Sequence, residues 1–298
     1  MAPKDTGFPT TDAQFDFSRS RRQRALSRLS ARLRGEPSDL QVMLPFEEVV
    51  QALGRRGERR LGLQTIPLDS IVGTVDRGRE FDRRFRPTSS KVRGRWERIA
   101  TAVRRGESMP PIDVYRIADL HFVKDGHHRV SVARALGHDV IDAYVTEVET
   151  EVGTGRDIRL DDLPLKSHER LFYERVPLAR EARLRVQPSN KSAYAGLAEG
   201  VEAWGFRVMQ GRREFMTREE VAETWFRDEY VPVVEMLREA GIANETNETD
   251  AYMAVVALRY LLLRTHDWDE SVLDALREQM SRPSWENTEI KRLRKTLK

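Results

Sequence analysis

The spacing of apolar residues changes several times along the chain, and each change marks an element. No period is sustained over residues 1–17, so no regular structure is expected there. Ala25, Leu26, Leu29 and Leu33 then recur at helical spacing, and a second, short helix is predicted after Pro45. Gly54, Gly57 and Gly62 break the chain. Thr65-Ile66-Pro67-Leu68 reads as a short strand, and residues 69–90 as a long polar loop rich in both charges, a kind of loop that is uncommon unless functional or disordered. Trp96, Ile99, Ala100 and Val103 give a helical apolar face that ends at Gly106. Pro110-Pro111 forces an extended entry into a strand over residues 112–117, and His121-Phe122-Val123 continues as the next strand. Gly126 follows, and Val130, Ala133 and Leu136 mark a helix that Gly137 stops. Residues 140–145 alternate, with Ile141, Ala143 and Val145 on one side and Val140, Asp142 and Tyr144 on the other, so the αβ unit closes near Glu147.

Beyond Gly155 strands largely disappear. Helices are predicted over residues 167–176, 193–209, 217–240, 252–263 and 269–280, with Thr217 and Glu220 forming a capping box and a basic tail after Ser281. The expected fold class is α+β. A small mixed αβ domain over residues 63–150 is flanked by a basic N-terminal helical arm, 1–62, and an all-α domain, 151–298.

A length of 298 residues fits one large domain or two ordinary ones. Hydrophobic residues make up 39% and charged residues 33%, a polar balance that still supplies a core. No apolar run approaches the roughly 18 residues that span a bilayer, and the N-terminus lacks the apolar stretch of a secretory signal. A soluble, cytoplasmic protein with no membrane partner is expected. The absence of cysteine excludes disulfides, thiolate metal sites and cysteine-based mechanisms, and it agrees with a reducing compartment.

The net charge is only +3, but its placement is uneven. Arg19, Arg21, Arg22, Arg24, Arg28, Arg32 and Arg34 lie between Phe17 and Gly35 with no acidic residue among them. The first six are candidate contacts to the phosphates of DNA. The competing account is a solvated amphipathic helix that docks on the body by its leucine side.

The segment with the most chemistry is Asp125-Gly126-His127-His128-Arg129. A glycine between strand and helix lets a ligand approach the backbone, and the helix start offers unpaired N–H donors. His127, His128 and Arg129 add donors where the helix dipole disfavours cations, which makes sense if an anion sits among them. In that role Arg129 adds little to the core, so its loss is expected to leave the unliganded fold intact. The alternative is that the histidines cap the turn and Arg129 pairs with Asp125. A metal centre is not expected, because adjacent histidines on a helix point about 100° apart. No Walker loop or serine-nucleophile elbow is present. Glu80 and Asp82 are candidate catalytic carboxylates for phosphoryl transfer, and the alternative pairs them with Arg77, Arg79, Arg83 or Arg84. The aromatic residues of the C-terminal half read as core.

Pro110-Pro111-Ile112-Asp113-Val114, followed by Asp125-Gly126-His127-His128-Arg129-Val130-Ser131-Val132-Ala133 and an Ala-Leu-Gly helix end, resembles the core of the ParB/sulfiredoxin superfamily over about residues 63–148. In that superfamily the glycine-to-arginine turn holds nucleotide phosphates: ATP in sulfiredoxins, CTP in ParB clamps, and adenine nucleotides in a free serine kinase. The resemblance implies that Gly126, His127, His128 and Arg129 are phosphate contacts, that Lys91 reaches the same phosphates, and that Glu80 and Asp82 stand where the serine kinase carries its carboxylate. His127 replaces the cysteine that sulfiredoxins need, so sulfinic-acid reduction is excluded. The second phosphate motif of ParB clamps is absent, as is a convincing helix-turn-helix. Trp204-Gly205-Phe206, Trp225-Phe226 and His266-Asp267-Trp268 are similar to the helical half of actinobacterial ParB-like proteins. The implied function is a nucleotide-dependent switch or hydrolase associated with DNA, using ATP or CTP with Mg2+. A small-molecule kinase of amino-acid type, or a nuclease, is the alternative, and a homodimer is left open.

Overall fold

The computed structural model describes residues 5–35, 42–75, 80–155, 157–239 and 247–263. Arg77, Arg79, His266-Asp267-Trp268, the helix expected over 269–280 and the basic tail lie outside them. The chain divides into two compact units, Met1–Ser167 and His168–Lys298.

The first unit opens with α1 (Pro9–Leu33), a helix that begins well inside the stretch expected to lack structure. Its docking residues are polar as well as apolar, which hides them from an apolar pattern. Asp12, Ala13, Asp16, Phe17 and Ser20 are buried. The Phe17 ring meets Trp96 edge-on at 5.5 Å, and Asp16 accepts from Arg104 Nε and Nη2 at 2.9 and 2.6 Å. The leucine side does not dock: Leu26, Leu29 and Leu33 are 60%, 56% and 80% exposed.

Next come β1 (Leu44–Pro45), α2 (Phe46–Leu53), β2 (Arg55–Pro67), β3 (Ile71–Thr74), α3 (Arg93–Arg104), β4 (Ile112–Ile117), β5 (Leu120–Asp125), α4 (His127–Leu136) and β6 (Val140–Thr150). The six strands form one mixed sheet in the order β1-β3-β5-β4-β6-β2. Strand β2 is far longer than the four residues expected. It pairs antiparallel with β6 from Arg55↔Thr150 to Pro67↔Val140, and its register shifts before Gly57 and Gly62. Gly62 takes a left-handed backbone (φ 80°) there, so the glycines read as breaks are bulges in a continuous strand. Its arginines pair across the ladder, Arg59 with Glu147 and Arg56 with Glu151. Strand β3 lies inside the segment expected to be a polar loop, and all four of its residues are buried. Strands β4 and β6 follow the sequence, with Ala143 and Val145 buried and Val140 and Tyr144 exposed. Helices α3 and α4 cover the core, and Trp96 Nε1 donates to Ser131 Oγ at 2.8 Å between them.

The second unit is helical and takes in most of α5 (Leu163–Arg175), then α6 (Arg180–Arg185), α7 (Tyr194–Arg212), α8 (Arg218–Trp225), α9 (Val231–Glu239) and α10 (Glu248–Leu263). Thr217 and Glu220 form the expected capping box on α8. A single π turn, Phe226–Tyr230, joins α8 to α9. Trp225, Tyr194 and Tyr230 are core residues, and Trp225 Nε1 donates to the Tyr252 hydroxyl at 3.0 Å. No helix among the described residues is long and apolar enough to cross a membrane.

Candidate functional site

Strand β5 leads into α4 through Gly126, whose backbone is left-handed (φ 103°). A Cβ there would stand 2.4 Å from Ile112 Cγ2 and 3.2 Å from Arg129 Cζ. Both conformation and space therefore require glycine. The first turn of α4 has no acidic residue, and its N-terminal N–H donors receive no side-chain cap from Gly126.

The side chains of this turn are engaged within the protein. His127 and His128 are buried. His127 Nε2 lies 2.6 Å from Thr74 Oγ1, with its ring stacked on Phe85 at 6.2 Å. The ring of His128 meets Phe81 edge-on at 5.2 Å. Arg129 Nη1 donates to the carbonyls of Pro110 and Pro111 at 2.6 Å each, and its Nη2 donates to Asp125 Oδ2 at 2.5 Å. The proline pair is thus tied to the turn by the arginine. This corrects the expectation that the Arg129 side chain adds little to the unliganded fold: a guanidinium holding two carbonyls and a carboxylate is structural.

The segment carrying Glu80 and Asp82 is an ordered turn. Asp82 is buried, accepts the N–H groups of Arg84 and Arg86 at 3.0 and 2.9 Å, and accepts from Arg86 Nε at 2.9 Å. Arg24 Nε lies 3.7 Å away. Among the described residues the side-chain partners of Asp82 are Arg86 and Arg24, and the expected partner Arg84 meets it through its backbone N–H. Glu80 is half-buried, and its carbonyl accepts from the Thr88 N–H and hydroxyl at 2.9 and 3.0 Å.

A hollow of about 20 Å³ sits at the start of α4, lined by Asp125 to Arg129 together with Arg95 and Ile99. It has room for about one water molecule. Lys91 is exposed and does not line it. Arg95, one turn further along, does, and the sequence pointed to it only through its spacing of four from Lys91. Ile99 and Arg129 also line a neighbouring trough of about 290 Å³, whose apolar walls include Val103, Met109, Pro110 and Ile141. Among the described residues no group of three His, Asp or Glu is placed to hold a metal ion.

The candidate DNA contacts on α1 divide in two. Arg19 is turned inward, donating to the Ala135 carbonyl at 2.8 Å and pairing with Asp16. Arg24 is half-buried beside Asp82. Arg21, Arg22, Arg28 and Arg32 are exposed.

Among solved structures, this chain is similar to the crystal structure of sulfiredoxin from Arabidopsis thaliana, at a TM-score of 0.23 and 20% identity, over 29% of this chain and 86% of that chain. At that score the likeness carries no argument about the site. No family model and no curated protein matches the chain.

Proposed function

We propose that the sheet unit binds a nucleotide, ATP or CTP, with its phosphates at the amino end of α4 and its base along the trough beside Arg129, and that the protein acts as a nucleotide-dependent switch associated with DNA. One observation carries this reading. Gly126 is held in a conformation, and at a proximity to Ile112, that only glycine accepts, and the helix start it opens has cationic Arg95 and Arg129 beside it and no acidic residue in its first turn. That is the chemistry a phosphate group needs.

The hollow and the trough share Ile99 and Arg129, so a ligand can run from one into the other. The trough's volume is near the lower end of ligand-pocket sizes, roughly 300 Å³. Because the hollow holds about one water, a phosphate enters as Asp125 gives up Arg129. Mg2+ arrives with the nucleotide. Hydrolysis or phosphoryl transfer driven by Asp82 is disfavoured, since that carboxylate is saturated by Arg86 and backbone donors. The exposed arginines of α1 supply the DNA association.

A thermal-shift panel of ATP, CTP and GTP with and without MgCl2 tests the proposal. A ligand at about 100 times its dissociation constant adds roughly 2.7 kcal/mol, a readily measured shift. Arg95→Ala, at an exposed position, should remove the shift without changing the unliganded melting temperature. An unshifted wild-type protein at millimolar nucleotide would remove the reading.

A further inference from the structure

Larger concavities than the α4 hollow and trough lie elsewhere in the sheet unit. Two adjoining cavities of about 570 and 700 Å³ open beneath the second half of α1 and share Ser27, Asp69, Arg84, Arg86 and Arg134. Both volumes lie well inside the range of ligand pockets, roughly 300 to 1,000 Å³. The α4 hollow does not.

The lining is cationic. Arg34, Arg83, Arg84, Arg86 and Arg134 face the first cavity, against the two carboxylates Asp69 and Asp82. Five positive charges less two negative leave an excess of three, and Asp82 is already saturated by Arg86 and the backbone. Donors remain unused. The buried Arg134 Nε has no hydrogen-bond partner, although the rest of its guanidinium holds the carbonyls of Leu68 and Ile71. The buried Nε of neighbouring Arg24 has none either. Arg84 is exposed, and its guanidinium has no hydrogen-bond or ion-pair partner among the described residues. Burial pushes Arg24 below the ordinary arginine range; Asp82 opposes this, while Arg28, Arg86 and Arg21 add to it. An unused donor in a buried site is costly, and an anion that accepts from several such donors removes the cost.

We propose that this cleft binds a small molecule carrying at least two phosphate groups, and that the bound ligand fastens the second half of α1 to the sheet unit. A single carboxylate matches neither the charge excess nor the volume. Planar guanidinium forks converging from α1, the turn after β3, and α4 suit phosphate oxygens. The site is separate from the amino end of α4 and stands or falls independently of it.

Inorganic pyrophosphate and tripolyphosphate, titrated calorimetrically into the full chain, are the probes. In Arg34→Ala/Arg84→Ala, affinity for both should fall at least about tenfold, because each arginine lost removes a charge-assisted hydrogen bond. The unliganded melting temperature should hold, since both side chains are exposed. Arg95→Ala should leave pyrophosphate affinity at the cleft intact, which separates this site from the α4 turn. If the double variant folds poorly, phenylglyoxal labelling of Arg84 in the wild-type chain replaces it, with pyrophosphate expected to protect that residue. Equal affinity in the double variant, no protection of Arg84, or no binding of either probe at millimolar concentration would overturn the proposal. So would a variant that loses affinity for a duplex DNA while keeping its affinity for pyrophosphate.

Discussion

Arg129 donates to Asp125 Oδ2 at 2.5 Å across Gly126, so the chain supplies its own anion at the start of α4. The partners differ in exposure, 62% for the Asp125 side chain and 15% for that of Arg129. The carboxylate is therefore the free-moving member, and an incoming phosphate competes with it. Asp125→Asn removes the competing charge and should tighten ATP or CTP binding roughly two- to fivefold, the equivalent of an exposed ion pair. A titration that shows weaker binding would mean instead that Asp125 orients Arg129 for the ligand.

Arg129→Ala should destabilise the unliganded protein. It leaves the part-buried Pro111 carbonyl without its donor, while the exposed Pro110 carbonyl turns to water, a loss of roughly 1 kcal/mol. Urea unfolding measures this directly. Arg129→Lys should recover only part of it, because an ammonium cannot reproduce the fork that spans two carbonyls and a carboxylate.

Much of the sheet was legible because its central strands alternate or carry apolar runs. Ile112 to Ile117 and Ala143 with Val145 are patterned as half-buried strands, and Gly126 and Gly137 bracket α4 as turn and stop. Strand β2 was hidden because its arginines look like a solvated loop, and only pairing with Glu147 on β6 and with Glu151 just beyond its end makes them a ladder. The start of α1 was hidden because Asp12 and Asp16, polar by type, are its buried anchors to Arg104. At the candidate site the order Asp125 to Arg129 was legible. The burial of both histidines against Phe81 and Phe85 was not, since those rings come from a turn more than 40 residues earlier.

We expect the burial of Asp82 and its bonds to Arg86 and two backbone N–H groups to tie it to stability first. Asp82→Asn leaves the Arg86 and Arg24 charges around a neutral group in a buried setting, and breaking such a pair costs roughly 3 kcal/mol or more. The expected result is a lower urea midpoint, with any nucleotide hydrolysis reduced only in proportion to the folded fraction. A folded Asp82→Asn protein whose turnover falls about 100-fold at unchanged nucleotide affinity would restore the general-base role.

His121 makes stability depend on mildly acidic pH. It is buried beside Ser70, whose hydroxyl lies 2.8 Å from Nδ1, while Nε2 has no hydrogen-bond partner. Burial, and then the nearby Arg116 charge, lower its pKa from 6.5 to about 4. The folded state therefore accepts only the neutral ring. Above pH 6.5 neither state is protonated and nothing is lost. As pH falls from 6.5 to 4 the unfolded chain takes the proton first, and the folded state loses up to roughly 3 kcal/mol. Urea midpoints at pH 7 and pH 4.5 should separate further for the wild-type protein than for His121→Asn.

DNA association should rest on the exposed part of α1. Arg21, Arg22, Arg28 and Arg32 face solvent, whereas Arg19 is held by Ala135 and Asp16 and Arg24 lies beside Asp82. Each phosphate contact contributes about 0.9 to the slope of log affinity against log salt concentration, so replacing the four exposed arginines with glutamine should flatten the slope by about 3.6 if all of them touch phosphates. Arg19→Gln should act differently. It weakens the seat of α1 near Ala135 and lowers the melting temperature, while the salt slope for duplex DNA stays near the wild-type value. Fluorescence anisotropy on one duplex across a salt series distinguishes the two. Equal slopes for the wild-type and the fourfold variant would assign the exposed arginines to keeping α1 solvated and take them out of any DNA contact.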